Sequence, residues 1–477
     1  MKKSLLKKYG TAGLIRLLTQ TASAGLLLLS VSAQAEIVGI GDITSATPQA
    51  VSFNLTARPG HVSLADGGSM YSWGYSEGAN TLMQLPGPTL KVKQGDTVTI
   101  TLTNALPVAA GNTSIVFPGQ TVTASGGVTG ALTSEATSGG TVTYTFTADK
   151  PGTYQYHSGT QTDLQVEMGL YGALIVYPSD AVVGAAACLS GQPAYDNAST
   201  CYDIEYLYVL SEIDLQTHQA AEAQAGGAGP IVLPTGTYTS EYWLMNGRVG
   251  PDTMAENSIP GEGILPSQPY GSLTRMVPGQ RLLMRVVGAG REMHPFHHHG
   301  NHARVIAIDG ELLVNAAGNL SGPLVFTIPS IPGQTADGIF EWTGKELGWD
   351  MYGHKADDAV PTPCVADAKG YYTVDSNPPA PLDAPNYGEW CADHNQKIPV
   401  TLPDLTNLAF GGFYSGSPYL GNLGSLPPGE GGLNPNAGFA FMWHSHTERE
   451  LTNNDVFPGG MMTMLIVEPP SQKPFIK

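Results

Sequence analysis

The chain has 477 residues, which is enough for two or three domains at about 150 residues each. Its 40 acidic residues exceed its 22 basic ones, and the formal charge of −18 argues against nucleic acid or a membrane surface as a partner. With 59 glycines, 36 prolines and only 13% charged residues, the composition favours an all-β protein rich in turns.

The first 35 residues resemble an export signal rather than part of the fold. Four lysines and Arg16 precede an apolar run at residues 24–31, and Ala33-Gln34-Ala35 has the small-residue pattern of a cleavage site. Without a twin-arginine pair, the pattern predicts a Sec-type signal. Its removal would change the formal charge from −18 to −23, because five basic and no acidic residues leave with it. No later apolar run approaches the ~20 residues of a membrane helix, so we expect a soluble periplasmic or extracellular protein.

Residues 36–180 alternate between short apolar-periodic strands and turns. Residues 86–104 predict two alternating strands joined by a tight turn at residues 94–96. Further strands are predicted at 142–147, at 153–157 and within 169–177. This spacing is typical of a Greek-key sandwich or barrel, and we take it as the first domain.

A linker at residues 181–203 separates this domain from a second one at residues 204–477. Strands are predicted at 204–212, 242–248, 280–287, 324–328, 338–342, 439–446 and 461–467. Residues 345–437 lack this regularity and are rich in Pro, Gly, Asn and Asp, so we expect a long insertion there. It is either a lid or subunit contact, or a loop without a role.

The four cysteines suit an exported protein. Cys188 and Cys201 flank a short polar segment, and Cys364 and Cys391 flank a longer one, so these local pairs are the first choice among three pairings. None of the four lies beside a histidine cluster, so no thiolate metal ligand is apparent.

Two pairs of histidines are the main candidate metal ligands in the sequence. Alternate side chains of a strand share a face, so His297 should lie beside His299, and His444 beside His446. Brought together by neighbouring strands, four imidazoles would bind copper, zinc, nickel or iron. His298 should point the opposite way and pack locally. The alternative is that these are ordinary structural histidines.

Taken in order, the motifs resemble the multicopper oxidase family of cupredoxin-fold proteins. Residues 86–96 resemble the opening strands of the family's first domain, and residues 151–158 and 169–176 resemble its close. HPFHHHG at 294–300 is similar to the family's HPxHxHG copper motif, and residues 444–461 are similar to its HCHxxxH…GM motif. The resemblance implies two Greek-key cupredoxin-like domains and copper as the cofactor. It also implies oxygen reduction at a three-copper cluster fed by a cysteine-bound type 1 copper.

Several positions depart from the family's ligand pattern. Val116 and Pro118 stand where two cluster histidines are expected, Gly159 replaces a third, and Ser445 replaces the type 1 cysteine. Glu450 stands where a further histidine ligand is expected. A hydroxyl cannot replace the thiolate of an electron-transfer copper, so we expect the type 1 site to be absent.

The resemblance leaves six candidate metal ligands. Five are of the cluster type and one, His294, belongs to the type 1 position; the full set is His157, His294, His297, His299, His444 and His446. Glu448 and Glu450 could add oxygen ligands, although for both we favour exposed loop charges.

Three functions stay open at this stage. The first is a copper-dependent oxidoreductase with a reduced histidine site, which would take electrons from a small reductant or a redox partner protein. The second is a metal-binding protein without turnover, and the third is a structural or interaction protein. By analogy with two-domain relatives, in which the cluster lies between subunits, a homotrimer is a further expectation.

Overall fold

The structure is a computed structural model that describes residues 37–342, 416–418 and 438–468. Regular structure in these ranges is mostly strand, with three short α-helices, α1 (Thr162–Gln165), α2 (Asp180–Ala186) and α3 (Leu215–Gln224). The prediction of an all-β protein is confirmed. No helix in the described ranges is long and apolar enough to span a membrane. The predicted signal and most of the predicted insertion lie outside the described residues.

Two sheets formed by residues 50–177 pack face to face, and we call this unit the N-terminal sandwich. Their order is β2-β1-β4-β8-β5 and β3-β10-β9, and β6 and β7 form a separate two-stranded ribbon. Apolar side chains of both sheets form one buried cluster between them. The strands are β1 (Ala50–Ser63), β2 (Ser69–Glu77), β3 (Leu90–Lys93), β4 (Thr97–Asn104), β5 (Thr123–Gly126), β6 (Val128–Thr129), β7 (Ser134–Glu135), β8 (Thr141–Thr147), β9 (Gly152–His157) and β10 (Tyr171–Tyr177).

The predicted turn at residues 94–96 connects two sheets instead of forming a hairpin. β3 pairs in parallel with β10, whereas β4 pairs with β1 and β8. Gly95 adopts φ 92° at this point, a conformation that glycine reaches without strain. The two strands were therefore placed correctly from sequence, and the turn carries the chain across the sandwich.

Residues 178–203 contain α2 and the two-residue strands β11 (Gln192–Pro193) and β12 (Cys201–Tyr202), which pair with each other. A disulfide joins Cys188 to Cys201, which confirms this predicted pair. The predicted partnership of Cys364 and Cys391 lies outside the described residues. The domain boundaries at residues 180 and 203 stay predictions.

A second pair of sheets forms the C-terminal sandwich. One has the order β14-β13-β16-β22-β18-β19 with β20 beside β18, and the other has the order β15-β25-β24-β17-β21 with β23 beside β24. The strands are β13 (Ile204–Ile213), β14 (Tyr242–Met245), β15 (Thr274–Met276), β16 (Arg281–Gly288), β17 (His294–His298), β18 (Ala303–Ile308), β19 (Glu311–Leu312), β20 (Leu324–Val325), β21 (Thr327–Ser330), β22 (Thr335–Glu341), β23 (Gly416–Pro418), β24 (Phe439–Ser445) and β25 (Met462–Val467). β23 falls inside the region predicted to be irregular, where it adds a short strand to β24.

The two sandwiches share a buried apolar layer built from alternate residues of β10 and β13. Ile175 and Val209 face this layer, while Leu174 and Tyr208 face the cores of their own sandwiches. Both faces of these strands are therefore covered, which explains why they read as nearly continuous apolar runs in the sequence.

A buried charge network also links the sandwiches. The Arg285 guanidinium lies 2.8 Å from a Glu205 carboxylate oxygen and 3.5 Å from an Asp337 oxygen, with all three side chains at most 6% exposed. The Thr153 hydroxyl, from β9 of the N-terminal sandwich, donates to Asp337 at 2.7 Å. The Tyr195 hydroxyl donates to the other Asp337 oxygen at 2.5 Å. These partners offset part of the cost of burying the three charges.

Candidate metal centre

The two histidine motifs lie on adjacent strands. β17 runs antiparallel to β24, and His297 is directly opposite His444 in the ladder, with Phe296 opposite Ser445 and His298 opposite Trp443. Directly opposed residues of an antiparallel pair project from the same face. The strand pairing therefore brings together the two motifs, which are almost 150 residues apart in the sequence.

Three of the predicted ligands converge on one point. The ligand nitrogens of His297, His299 and His444 all lie within 4.8 Å of one another, and the three side chains are buried. The Nε2 atoms of His299 and His444 are 3.1 Å apart. Two nitrogen ligands held about 2.0 Å from one ion lie roughly 3 Å apart, so the described side chains fit a metal ion bound by imidazoles.

Hydrogen bonding fixes the tautomer of His444. Its Nδ1 lies 2.6 Å from the Ser445 carbonyl oxygen, which can only accept, so Nδ1 carries the hydrogen and Nε2 carries the lone pair. Burial lowers the pKa of His444 to about 4, against the opposing effect of the Ser445 hydrogen bond. The imidazole is therefore neutral at pH 7. An outer hydrogen bond of this kind is usual for histidines that bind metals.

The Nδ1 atom of His297 is hydrogen-bonded to a hydroxyl group, whereas that of His444 is hydrogen-bonded to a carbonyl group. The Nδ1 of His297 lies 2.9 Å from Thr327 Oγ1 of β21, the strand on the other side of β17. Phe326 packs its ring edge-on against His297, with centroids 5.7 Å apart, and is 55% exposed. Neither Thr327 nor Phe326 was identified from the sequence, because their role depends on the pairing of β21 with β17.

His446 lies at the exposed rim of the group. Its ring centroid is 4.8 Å from that of His297 and 5.6 Å from that of His444. The side chain is exposed, unlike those of the three converging histidines. The predicted pair His444 and His446 therefore lies next to the pair on β17, and His446 faces solvent.

His298 points into the core, as predicted. Its ring packs against Trp443 and Phe340, with centroids 5.9 Å away in both cases. Burial lowers the pKa of His298 to about 3. This residue is therefore a neutral core histidine.

His157 is outside the three-histidine group. It ends β9 in the N-terminal sandwich, and its Nδ1 donates to the Ser158 carbonyl at 2.9 Å, as His444 does to Ser445. Its backbone pairs with that of Val116, with N···O distances of 2.9 and 3.2 Å. His157 and Val116, which both stand where the family resemblance expects metal ligands, are thus neighbours in space. Burial lowers the pKa of His157.

His294 also lies apart from the three, in a pair of carboxylates. Its Nδ1 is 2.9 Å from Glu450 Oε2, and its Nε2 is 2.8 Å from Glu212 Oε2. Glu450 is only 5% exposed, so the expectation of an exposed loop charge is wrong for this residue, whereas Glu448 is exposed as expected. Ser445, which stands where the family resemblance expects the type 1 cysteine, is fully buried.

Comparison with known proteins finds similarity to copper proteins. A family profile described as Multicopper oxidase matches residues 74–181. Over these residues the chain is similar to multicopper oxidases. The profile covers His157 but not the three converging histidines, which lie in the C-terminal half.

Curated relatives match only parts of this chain. It is 30% identical over 196 residues to the copper-containing nitrite reductase of Alcaligenes xylosoxydans xylosoxydans, covering 38% of this chain and 53% of that protein. It is 40% identical over 98 residues to the L-ascorbate oxidase of Brassica rapa subsp. pekinensis, covering 20% of this chain and 16% of that protein. It is 39% identical over 93 residues to copper resistance protein A of Pseudomonas syringae pv. tomato, covering 19% and 14%. The chain thus spans about half of the first relative and less than a fifth of the other two.

Among solved structures, the blue copper oxidase from Nitrosomonas europaea aligns with a TM-score of 0.49 and 18% sequence identity. The alignment covers 87% of this chain and 85% of that one.

Proposed function

We propose that this chain is an exported copper-binding protein of the multicopper oxidase type, with copper held by His297, His299 and His444. The observation that carries the proposal is the convergence of three buried imidazoles, with two Nε2 atoms 3.1 Å apart. Imidazole groups suit several transition metals, and the similarity to copper enzymes favours copper among them.

We further propose that the site exchanges electrons directly, without a cysteine-bound copper. Bound copper supplies an ion that accepts and releases single electrons. The chain holds His444 in the tautomer that offers its Nε2 lone pair, and buries three of the imidazoles away from water. His446 and Phe326 lie at the exposed rim, where a small reductant or a redox partner protein would approach.

A metal-binding protein without turnover is the second candidate. It is favoured by Val116, Ser445 and Glu450, which occupy positions where the family resemblance expects ligands. This candidate predicts stoichiometric copper binding with no oxygen consumption in the presence of a reductant.

Export and assembly belong to the same proposal. The signal pattern at residues 1–35 supports a periplasmic or extracellular location, which the N-terminal sequence of the protein recovered from the cell envelope or medium would test. A homotrimer would bring another subunit's residues to a site where three ligands from the described part of the chain converge. Light scattering of the copper-loaded protein would measure this assembly.

The test of copper binding uses metal-loaded protein after removal of loosely held ions. We expect about one or more copper ions per chain, without the intense absorption of a thiolate-bound copper. The double variant His297→Ala/His444→Ala should lose this copper. His61→Ala is the matched control, because His61 is an exposed histidine on β1, outside the candidate site. Retention of no copper by the wild-type chain would refute both metal-binding functions and leave the structural one.

A further inference from the structure

His294 is enclosed by negative charge where the family resemblance expects a copper ligand. Both of its ring nitrogens lie within 2.9 Å of carboxylate oxygens, one from Glu212 and one from Glu450. The side chains are 0%, 0% and 6% exposed. Carboxylates accept hydrogen bonds, so this geometry requires a hydrogen on each nitrogen and hence an imidazolium. With both nitrogens occupied, neither has a lone pair for a metal ion.

The three residues come from three separate elements. His294 begins β17, Glu212 lies near the end of β13 in the opposite sheet, and Glu450 lies in the 3₁₀ turn that follows β24. Glu212 is itself anchored, because its Oε1 accepts the backbone N–H groups of Arg291 and Glu292. The imidazolium therefore ties both histidine-bearing strands to a fixed point on the other sheet.

The backbone pairing of the two strands is short. The ladder between β17 and β24 contains only three residue pairs, from Phe296–Ser445 to His298–Trp443. One more backbone bond extends it, from the His446 N–H to the Pro295 carbonyl at 2.9 Å. His294 and Glu450 meet just beyond this last bond. A one-residue slip would move His444 away from His297, so contacts that fix the register also fix the metal site.

We propose that His294, Glu212 and Glu450 form a positioning clamp for the copper site, in which an imidazolium takes the structural place of a metal ion. The inference rests on the proposed copper-binding function, and assigns His294 a role different from the ligand role suggested by its sequence motif. The clamp sets the separation and register of His297 and His444 without touching the copper.

The test measures copper affinity by competition with a chelator. Glu450→Gln and His294→Gln each remove one charge from the clamp and keep the approximate shape of the side chain. We expect unchanged copper stoichiometry and a Kd about 10-fold or more weaker, the effect typical of losing an outer partner of a metal site. Glu448→Gln is the matched control, since it removes an exposed carboxylate two residues from Glu450, and it should leave the Kd unchanged.

A spectroscopic readout separates positioning from general stability. The copper hyperfine splitting in the electron paramagnetic resonance spectrum should change in Glu450→Gln and return toward the wild-type value in Glu450→Asp, which keeps the charge. Circular dichroism verifies folding. If His294→Gln does not fold, Glu450→Gln and Glu212→Gln carry the test.

The outcomes distinguish the clamp from the copper site itself. If the wild-type chain binds no copper, the proposed function fails and the clamp fails with it. If the wild type binds copper and the clamp variants match Glu448→Gln in Kd and spectrum, only the clamp is refuted. If His294→Gln loses a whole copper ion per chain, His294 is a ligand and the clamp is also refuted.

Discussion

The imidazolium of His294 makes the stability of the metal-free protein depend on pH. Burial alone would lower the pKa of His294, but the hydrogen bonds that it donates to Glu212 and Glu450 outweigh this effect and raise the pKa to about 9, from 6.5 for the free side chain. The folded chain therefore keeps a proton that the unfolded chain releases. The resulting stabilisation is fully present below pH 6.5 and is lost as the pH rises through about 9.

The size of the effect follows from the pKa difference. A difference of about 2.5 pKa units, at about 1.4 kcal/mol per unit, corresponds to roughly 3 kcal/mol of unfolding free energy. The slope should be about −1.4 kcal/mol per pH unit between pH 7 and 9. The side chain is fully buried, so little solvent screening reduces this value.

Urea unfolding of chelator-treated protein at several pH values between 6 and 10 measures this slope. His294→Gln is the comparison, because it removes the titration of the His294 ring and keeps Glu167. The comparison subtracts the contribution of Glu167 to the pH dependence. Burial raises the pKa of Glu167 to about 8, and its ionisation lowers stability over part of the same pH range. Equal slopes in the wild type and His294→Gln would refute the assignment of an imidazolium. Titration of the His294 ring by NMR near pH 6.5 would refute it independently.

Three further predictions concern stability elsewhere. Cys188→Ser should lower the unfolding free energy by about 3 kcal/mol, the value expected for a short cross-linked loop, as measured by urea unfolding. Arg285→Met should cost about 3–5 kcal/mol, because it leaves the buried Asp337 carboxylate without its cation. Gly310→Ala should cost more than about 1 kcal/mol, because Gly310 has φ 75° and an added Cβ would lie 2.5 Å or less from Tyr154 ring atoms.

Each of these predictions has a simple control. Reduction of a Cys364→Ser/Cys391→Ser variant, which keeps only the Cys188–Cys201 pair, should reproduce the Cys188→Ser loss, and an unchanged midpoint would contradict a structural disulfide. Tyr195→Phe removes one hydrogen bond from the Arg285 network and should cost only about 1 kcal/mol. Equal losses for Tyr195→Phe and Arg285→Met would show that the charge is unimportant. Gly318→Ala controls for Gly310→Ala, since Gly318 has a similar φ of 79° but open space around an added Cβ.

Strands were predictable where both ends carried turn residues, as in β8, β13 and β16. β1 was not singled out, although at 14 residues it is the longest strand described, because it contains Pro59 and Gly60. Its parallel ladder with β4 ends at Ala57, and beyond that point β1 pairs only with β2. A proline is tolerated on such an edge, where one side of the strand needs no hydrogen bonds.

The helix α3 was missed for a different reason. Its ten residues lack an apolar stripe, and only Thr217, His218 and Ala221 are buried. The detectable signal was its cap, since the Asp214 carboxylate accepts the Thr217 N–H at 3.0 Å.

The histidine cluster was predictable because it depends on a period of two and one strand pairing. The environment of His294 was not, because it depends on a residue from the opposite sheet. Glu450 alone reads as a loop carboxylate, and only the position of Glu212 opposite β17 creates a buried cation site. Local sequence patterns contain no information on which strand of the facing sheet lies across from a given residue.

The junction of the two histidine strands consists of protein atoms and a proton from solvent. A junction completed by a metal ion would make the final packing of the sandwich depend on metal supply. Here the packing can be completed before any ion arrives, since protons are always available at neutral pH. Scarcity of copper would then reduce the fraction of copper-loaded molecules without producing misfolded ones. The metal-free protein would already be folded and able to bind the ion.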